Sequence, residues 1–236
     1  MLSMLDIVTA LESEIERLPT GSRLPSEHQL MRRFEATRST VRRAIEHLEQ
    51  RYLVRRAHGS GTFVNRPVDY LISSQLAPSL HSTIEAAGSS ARTFLIDSAV
   101  TAAPASVATR LGIAEGADAV RLVRVGYIDD DPATYAEEWI APGVLEHVDV
   151  SLRAIESLTE VLRSSRRHPI RAWTRVSTAF APAEVAERLD LREASQVWHL
   201  ETVTRDGTAA GEHLLFSRAW MRQDRMRVVV EFEPSE

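Results

Sequence analysis

The sequence predicts an α+β chain in two parts: three short helices closed by a β-hairpin, then a larger antiparallel sheet with flanking helices. Three observations carry this. Apolar residues recur at helical spacing through the first fifty residues, then give way to two short strand-like runs around a glycine-rich turn. Beyond residue 82, seven strand candidates are interrupted by three helical ones. The sign of the charge also changes: residues 1–67 carry a net +3 and the remainder a net −8.

In the first part, Met4, Val8, Leu11, Ile15 and Leu18 mark one face of a helix that Pro19-Thr20-Gly21 ends. A short second helix starts at Leu24-Pro25-Ser26-Glu27, with Leu30 and Phe34 inward. Thr37 is the expected N-cap of a third, whose apolar face is Val41, Ala44, Ile45 and Leu48. Strands follow near Leu53–Ala57 and Thr62–Asn65 around His58-Gly59-Ser60-Gly61. A tight turn at Glu35-Ala36 between helices 2 and 3 is the helix-turn-helix signal, and the hairpin makes it winged. A solvated charged surface is the alternative reading of this basic module. Nine arginines against four glutamates within residues 23–56 are also the footprint of phosphate binding.

Composition removes several chemistries. The chain has 236 residues, 44% hydrophobic and 26% charged, enough to bury a core. It has no cysteine, so disulfides, zinc-thiolate sites and thiol catalysis are excluded. All 28 basic residues are arginine, so no lysine Schiff base is possible. The eight histidines show no metal-ligand spacing, and no glycine-rich phosphate loop is present. No metal, cofactor or catalytic residue is therefore expected. No apolar run approaches the roughly 18 residues of a membrane span. Residues 1–18 hold four acids and one Arg, unlike a secretory signal. A cytoplasmic location without membrane association is the expectation.

Arg23–Val64, with "LPSE", "TRSTVR" and "GSGTFV" in order, resembles the DNA-binding domain of the GntR family of transcription regulators. Helix 3 is then the recognition helix. Arg38, in its first turn, is the candidate for a two-point contact with guanine. Ser39 and Thr40 are short donors at the same end, while Arg42 and Arg43 suit phosphates. Ser26 and Glu27 would present the amides of helix 2 to a phosphate. Gly59 allows the wing to approach closely, with His58 and Ser60 as contact candidates; simple solvation of His58 is the competing reading.

Past residue 66 a linker, 67–81, is expected before a domain spanning 82–236. Strands are predicted at Thr93–Thr101, Ala117–Ile128, Thr134–Ile140, Arg171–Phe180, Ser195–Arg205, Glu212–Met221 and Arg227–Phe232. Helices are predicted near Ala105–Leu111, Leu152–Ser164 and Ala183–Leu189. Ala103–Val125 realigns with Ala181–Val203 at an offset of 78, with ten of 23 positions identical. Each copy reads helix, strand, acidic turn, strand, which points to a pseudo-two-fold sheet with a cleft between its halves. Arg124 shares a strand face with Val120 and Leu122. Arg218 shares one with Leu214, Phe216, Trp220 and Glu212. A charge on an apolar face needs a partner, either an acid of the opposite half or a bound anion.

Ser82–Phe232 resembles the UTRA effector-binding domain of the HutC subgroup of GntR regulators, with a chorismate-lyase-like fold. Within that subgroup, "FEATRSTVRRAIEHL" and "NRPVDYLISSQL" look most like phosphonate-operon regulators. The resemblance implies an effector site at Ser90, Arg92 and Thr93, at Arg124, and at Glu137 and Glu212. Arg175 and Arg218 are further strand candidates. Many relatives carry Arg-x-Arg where this chain has Arg124 and Gly126, and the hairpin at Asp129–Asp131 is one residue longer.

The functional expectation is a homodimeric, ligand-responsive repressor that binds an inverted-repeat DNA operator and answers a small anionic effector, a phosphonate or sugar phosphate. Two other functions compete: a lyase-like enzyme using the C-terminal cleft, and a DNA-binding protein indifferent to any effector.

Overall fold

The computed structural model describes residues 3–57, 59–73, 79–208 and 212–232. The chain divides into two compact units, Met1–Pro67 and Val68–Glu236.

In the first unit, α1 (Met4–Ile15) begins at Ser3. Its hydroxyl accepts from the Asp6 N–H while the Asp6 carboxylate accepts from the Ser3 N–H. The helix stops at Ile15, short of the Leu18 that apolar spacing marks. There Arg66 Nη2 donates to the carbonyls of Ile15, Glu16 and Leu18 at 2.9–3.1 Å. A cation on leftover carbonyls at the negative end of a helix is a favourable stop. α2 (Glu27–Arg33) starts from a Ser26–Gln29 capping box and α3 (Arg38–Gln50) from Thr37. Ile7, Leu11, Leu30, Val41, Ile45 and Leu48 close the core between the three helices. β1 (Val54–Ala57) and β2 (Gly61–Val64) form the wing hairpin. A segment without a strand pattern adds a third ribbon: the Leu24 N–H donates to Thr62 O and the Val64 N–H to Ser22 O, both at 2.8 Å. Gly61, at φ +124°, lies under Arg23, where a Cβ would come within 2.9 Å of its Nε.

The second unit begins inside the expected linker. β3 (Val68–Ile72) pairs in parallel with β10 (Met226–Val230), and α4 (Leu80–Ala86) follows. The linker expectation fails at both places for the same reason. Val68, Tyr70 and Ile84 bury their side chains with Met226 in one cluster, so these residues belong to a core.

The main sheet has the order β4-β5-β6-β9-β8-β7, antiparallel throughout. Its strands are β4 (Ala91–Ala102), β5 (Asp118–Ile128), β6 (Asp131–Ile140), β7 (Pro169–Phe180), β8 (Gln196–Asp206) and β9 (His213–Arg222). The order is a palindrome of two three-stranded halves, as the internal repeat predicts. The repeat also extends further than its identities: β4 and β7, and β5 and β8, begin and end 78 residues apart. α5 (Ala105–Leu111) and α8 (Ala183–Arg188) both start after proline at the N-cap, from the shared Ala-Pro-Ala. Each crosses to the other half: α5 packs on β9 and α8 on β6.

The single helix expected over Leu152–Ser164 is two, α6 (Val148–Ile155) and α7 (Leu158–Ser164). Glu156 takes a left-handed conformation at φ 59°, and Ser157 then caps the Glu160 N–H.

Candidate functional site

Two sets of groups stand out, one in each unit. In the first unit, Arg38 opens α3 with its side chain 76% exposed, in a loose 3.5 Å pair with Glu27. Arg43 is exposed and has no carboxylate partner among the described residues. Arg42, by contrast, pairs with Glu46 at 3.2 Å. Ser39 and Thr40 hydroxyls both lie 2.9 Å from Thr37 Oγ1, so each is already in a local network. Ser26 spends its hydroxyl on the capping box, and Glu27 faces Arg38. In the wing, Gly59 and Ser60 are exposed and Gly59 has φ +72°. His58 lies outside the described residues.

In the second unit, a cavity opens on one face of the sheet, beneath β3, α4 and the start of α7. Thr93, Arg124 and Gly126 line it from β4 and β5, with Thr134, Glu138, Thr202, Thr204 and Ser217 from the inner strands. Tyr70, His81, Ser157 and Thr159 cover it. The lining is rich in hydroxyls and holds a closed ion pair. Arg124 donates from Nε and Nη2 to the two oxygens of Glu138 at 2.5 and 2.7 Å. The two side chains are 11% and 8% exposed. The third donor, Arg124 Nη1, reaches the backbone oxygen of Glu156 at 3.0 Å. His81 Nε2 is buried without a hydrogen-bond partner, 4.0 Å from the Glu156 carboxylate. Burial, then the charge of Arg124, holds this imidazole below the ordinary histidine range, opposed by Glu156 and Glu85.

Of the eight residues expected at this site, only Thr93 and Arg124 line the cavity. Arg92 stands next to Thr93 but is exposed, and binds Glu156. Ser90 is away from it, its backbone N–H donating to Asp129 Oδ1 and so bracing the β5–β6 turn. Glu212 lies just outside β9, exposed, and pairs with Arg167 at 2.9 Å.

Glu137 sits on the opposite face, for a definite reason. Ile128 pairs with Asp131, which would place Glu137 on the side of Arg124. The ladder then shifts by one residue between Gly126 and Tyr127, and Ala133 bulges out. A one-residue shift exchanges the faces of a strand. Glu138 thus replaces Glu137 beside Arg124. The bulge adds one residue to the β6 side of the hairpin, while the turn itself is only Asp129 and Asp130, both at positive φ.

Glu137 instead joins a half-buried charge ladder on the back face. Arg121 donates to it at 2.7 Å, and Arg218 of the other half approaches at 3.7 Å. Arg218 also pairs with Glu201, which pairs with Arg110. Arg218 is therefore a cross-half ion-pair partner, outside the cavity. Arg175 is on this face too, its guanidinium 4.9 Å from the Trp173 ring centroid. Tyr135, also on this side, donates to Glu184 of α8, and its phenol is pushed up to about 12 by burial and that bond.

Sequence reasoning missed His81, Glu138, Glu156 and Ser157. Glu138 was recoverable only with the bulge placed. Glu156 and Ser157 sat inside what looked like one continuous helix.

Comparison with known proteins agrees with this two-part layout. Residues 5–64 match the model of bacterial regulatory proteins of the gntR family, and residues 86–227 match the UTRA domain. The chain belongs to the GntR family of transcription regulators, in its UTRA-bearing form. The HTH-type transcriptional regulator GgaR of Escherichia coli K12 is 30% identical over 189 residues, covering 80% of this chain and 74% of GgaR. The probable transcriptional regulator PhnF of the same organism is 28% identical over 234 residues, 96% of this chain and 93% of that one. Rv0792c of Mycobacterium tuberculosis is 31% identical over 210 residues, 85% and 76% of the two chains. Among solved structures, PhnF from Mycobacterium smegmatis superposes with a TM-score of 0.62 at 22% identity, covering 97% of this chain and all of that one. As a GntR regulator of the UTRA type, the chain is a DNA-binding transcription regulator. Among its described helices none is long and apolar enough to cross a membrane.

Proposed function

We propose that this GntR-family regulator is a ligand-responsive repressor without enzymatic activity, acting in the cytoplasm. It reads an inverted-repeat operator as a homodimer, through residues 1–66, and is released by a small anionic effector held in the second unit. The observation that carries the reading is the cavity around Arg124: hydroxyl-lined, with its buried charge already paired. An ion pair flanked by hydroxyls and by the unpartnered His81 Nε2 can be reorganised by a ligand of a few polar groups. DNA recognition rests on Arg38 and Arg43, which stand exposed on α3 with little or nothing to hold them. A single winged helix covers too little DNA for selectivity, and two-fold dimers on inverted repeats answer this. The edge strands support self-association: Phe94, Ile96 and Val100 on β4 and Val176 and Phe180 on β7 are exposed.

The test is operator selection from random DNA with the full chain. An inverted repeat should emerge, bound by a dimer in analytical ultracentrifugation. A set of phosphorylated sugars and phosphonates is then screened for release of that DNA. Selection of a single half-site by a monomer, or binding to DNA that no compound alters, would overturn the corresponding part.

A further inference from the structure

Three of the residues expected to hold an effector's anion, Arg92, Thr93 and Arg124, meet one acid that the sequence did not mark. The Glu156 carboxylate accepts from Arg92 Nε at 3.0 and 3.2 Å and from the Thr93 backbone N–H at 2.8 Å, with Arg92 Nη2 also 3.0 Å away. His81 Nε2, without a hydrogen-bond partner, stands 4.0 Å off. The Glu156 backbone oxygen takes the outer donor of Arg124. The same residue holds this position with a left-handed backbone at φ 59°, which is strained for a non-glycine residue. Its neighbour Ser157 lines the cavity and caps α7.

We infer that Glu156 is a built-in competitor: its carboxylate occupies the subsite for the effector's anionic group, and the effector binds by displacing it. The inference rests on the reading of this cavity as the effector site. Arg124 is neutralised by Glu138, and among the described residues that line the cavity there is no other arginine. Among the described residues, the donors beside the cavity that suit an incoming anion are those that Glu156 now holds, the Arg92 fork and the Thr93 N–H, with His81 Nε2 beside them. A phosphate, phosphonate or carboxylate could take the same bonds, since each offers two oxygens to an Arg fork. Displacing Glu156 must also disturb the turn between α6 and α7, because the hydrogen bond from Arg124 and the cap from Ser157 are adjacent to it. Ligand entry is thereby tied to a shape change.

The experiment is calorimetric titration of the full chain with inorganic phosphate and, separately, with acetate. Glu156→Gln keeps the size and an acceptor for the Thr93 N–H but removes the competing charge. It should bind at least one of the anions about tenfold or more tightly than wild type. Adding Arg92→Ala to that variant should abolish the gain. Glu156→Gly, which suits the left-handed backbone, should show the same gain and serves should the glutamine variant fold poorly. Unchanged affinity for both anions in both variants, or a gain that survives Arg92→Ala, would overturn the assignment. Operator binding separates this from the reading it rests on. Tighter anion binding that leaves DNA affinity untouched would keep Glu156 as the competitor and count against the effector role of the cavity.

Discussion

Arg124 of β5 and Glu138 of β6 close a two-point ion pair between neighbouring strands, at 2.5 and 2.7 Å, under a cover that leaves each about one-tenth exposed. Removing one partner of such a pair strands the other charge in a poorly solvated place, at a typical cost of about 3–5 kcal/mol. Arg124→Ala should therefore lower stability by roughly that amount in urea titration. Arg124→Met with Glu138→Leu, which removes both charges and keeps the volume, should recover most of it. A single variant as stable as wild type would mean that the pair is wetter than its exposure indicates.

His81 gives the protein a pH dependence of known sign. Its folded pKa is depressed, by burial first and then by Arg124 on β5; Glu156 beyond α6 and Glu85 on its own helix oppose the shift. The unfolded chain then takes up the proton first as pH falls below the ordinary value of about 6.5. Stability contributed by the neutral ring is present above that pH and lost as pH drops through the window beneath it. His199, lowered chiefly by burial, adds in the same direction. Denaturant midpoints at pH 7.5 and 5.5 should differ less in His81→Gln than in wild type. Equal slopes in the two proteins would remove His81 from the account.

On DNA, Arg38 and Arg43 should separate. Arg38→Ala should weaken the selected operator by about 1–3 kcal/mol, the usual worth of a two-point Arg–guanine contact, and relax base preference at one position. Arg43→Ala should weaken specific and random DNA alike and flatten the dependence on salt. Neither should move the melting temperature much, since their side chains are exposed and the Arg38–Glu27 pair is loose. Competition binding at two salt concentrations checks this. Operator preference untouched by Arg38→Ala would return base reading to another residue of α3.

These predictions show where the sequence was sufficient. The first unit was readable because its signals are local: Ser26, Thr37 and the apolar set of α3 act within one helix. The two-fold character of the sheet was readable because the 78-residue repeat is written in identities, while the order of its strands was not. The site was not, because it depends on facts at a distance. One bulged residue, Ala133, exchanges Glu137 for Glu138. The left-handed Glu156 breaks a helix that apolar spacing draws as continuous. Val68–Ile72 reads as a linker until β10, more than 150 residues on, arrives to pair with it.

Gly126 offers the last test, since it is a glycine within β5 that lines the cavity. The position is not merely vacant. A Cβ on Gly126 would fall 2.5 Å from Thr134 Oγ1 and 3.0 Å from Leu80 Cδ2. The residue's φ is not positive, so the obstacle is space alone. The first contact is too short to survive, and Thr134 is a buried, β-branched side chain beside the Ala133 bulge, with little freedom to turn. Gly126→Ala should thus destabilise by about 1–3 kcal/mol, the ordinary cost of overpacking. Removing the obstructing hydroxyl with Thr134→Ala should restore much of that loss, so the two changes should be strongly non-additive in a double-mutant cycle. Gly126→Arg should be worse than alanine, because Thr134 and Leu80 already stand against the place its side chain would start from. Additive effects of Gly126→Ala and Thr134→Ala, or an arginine variant as stable as wild type, would show that the cavity has room where its walls now meet.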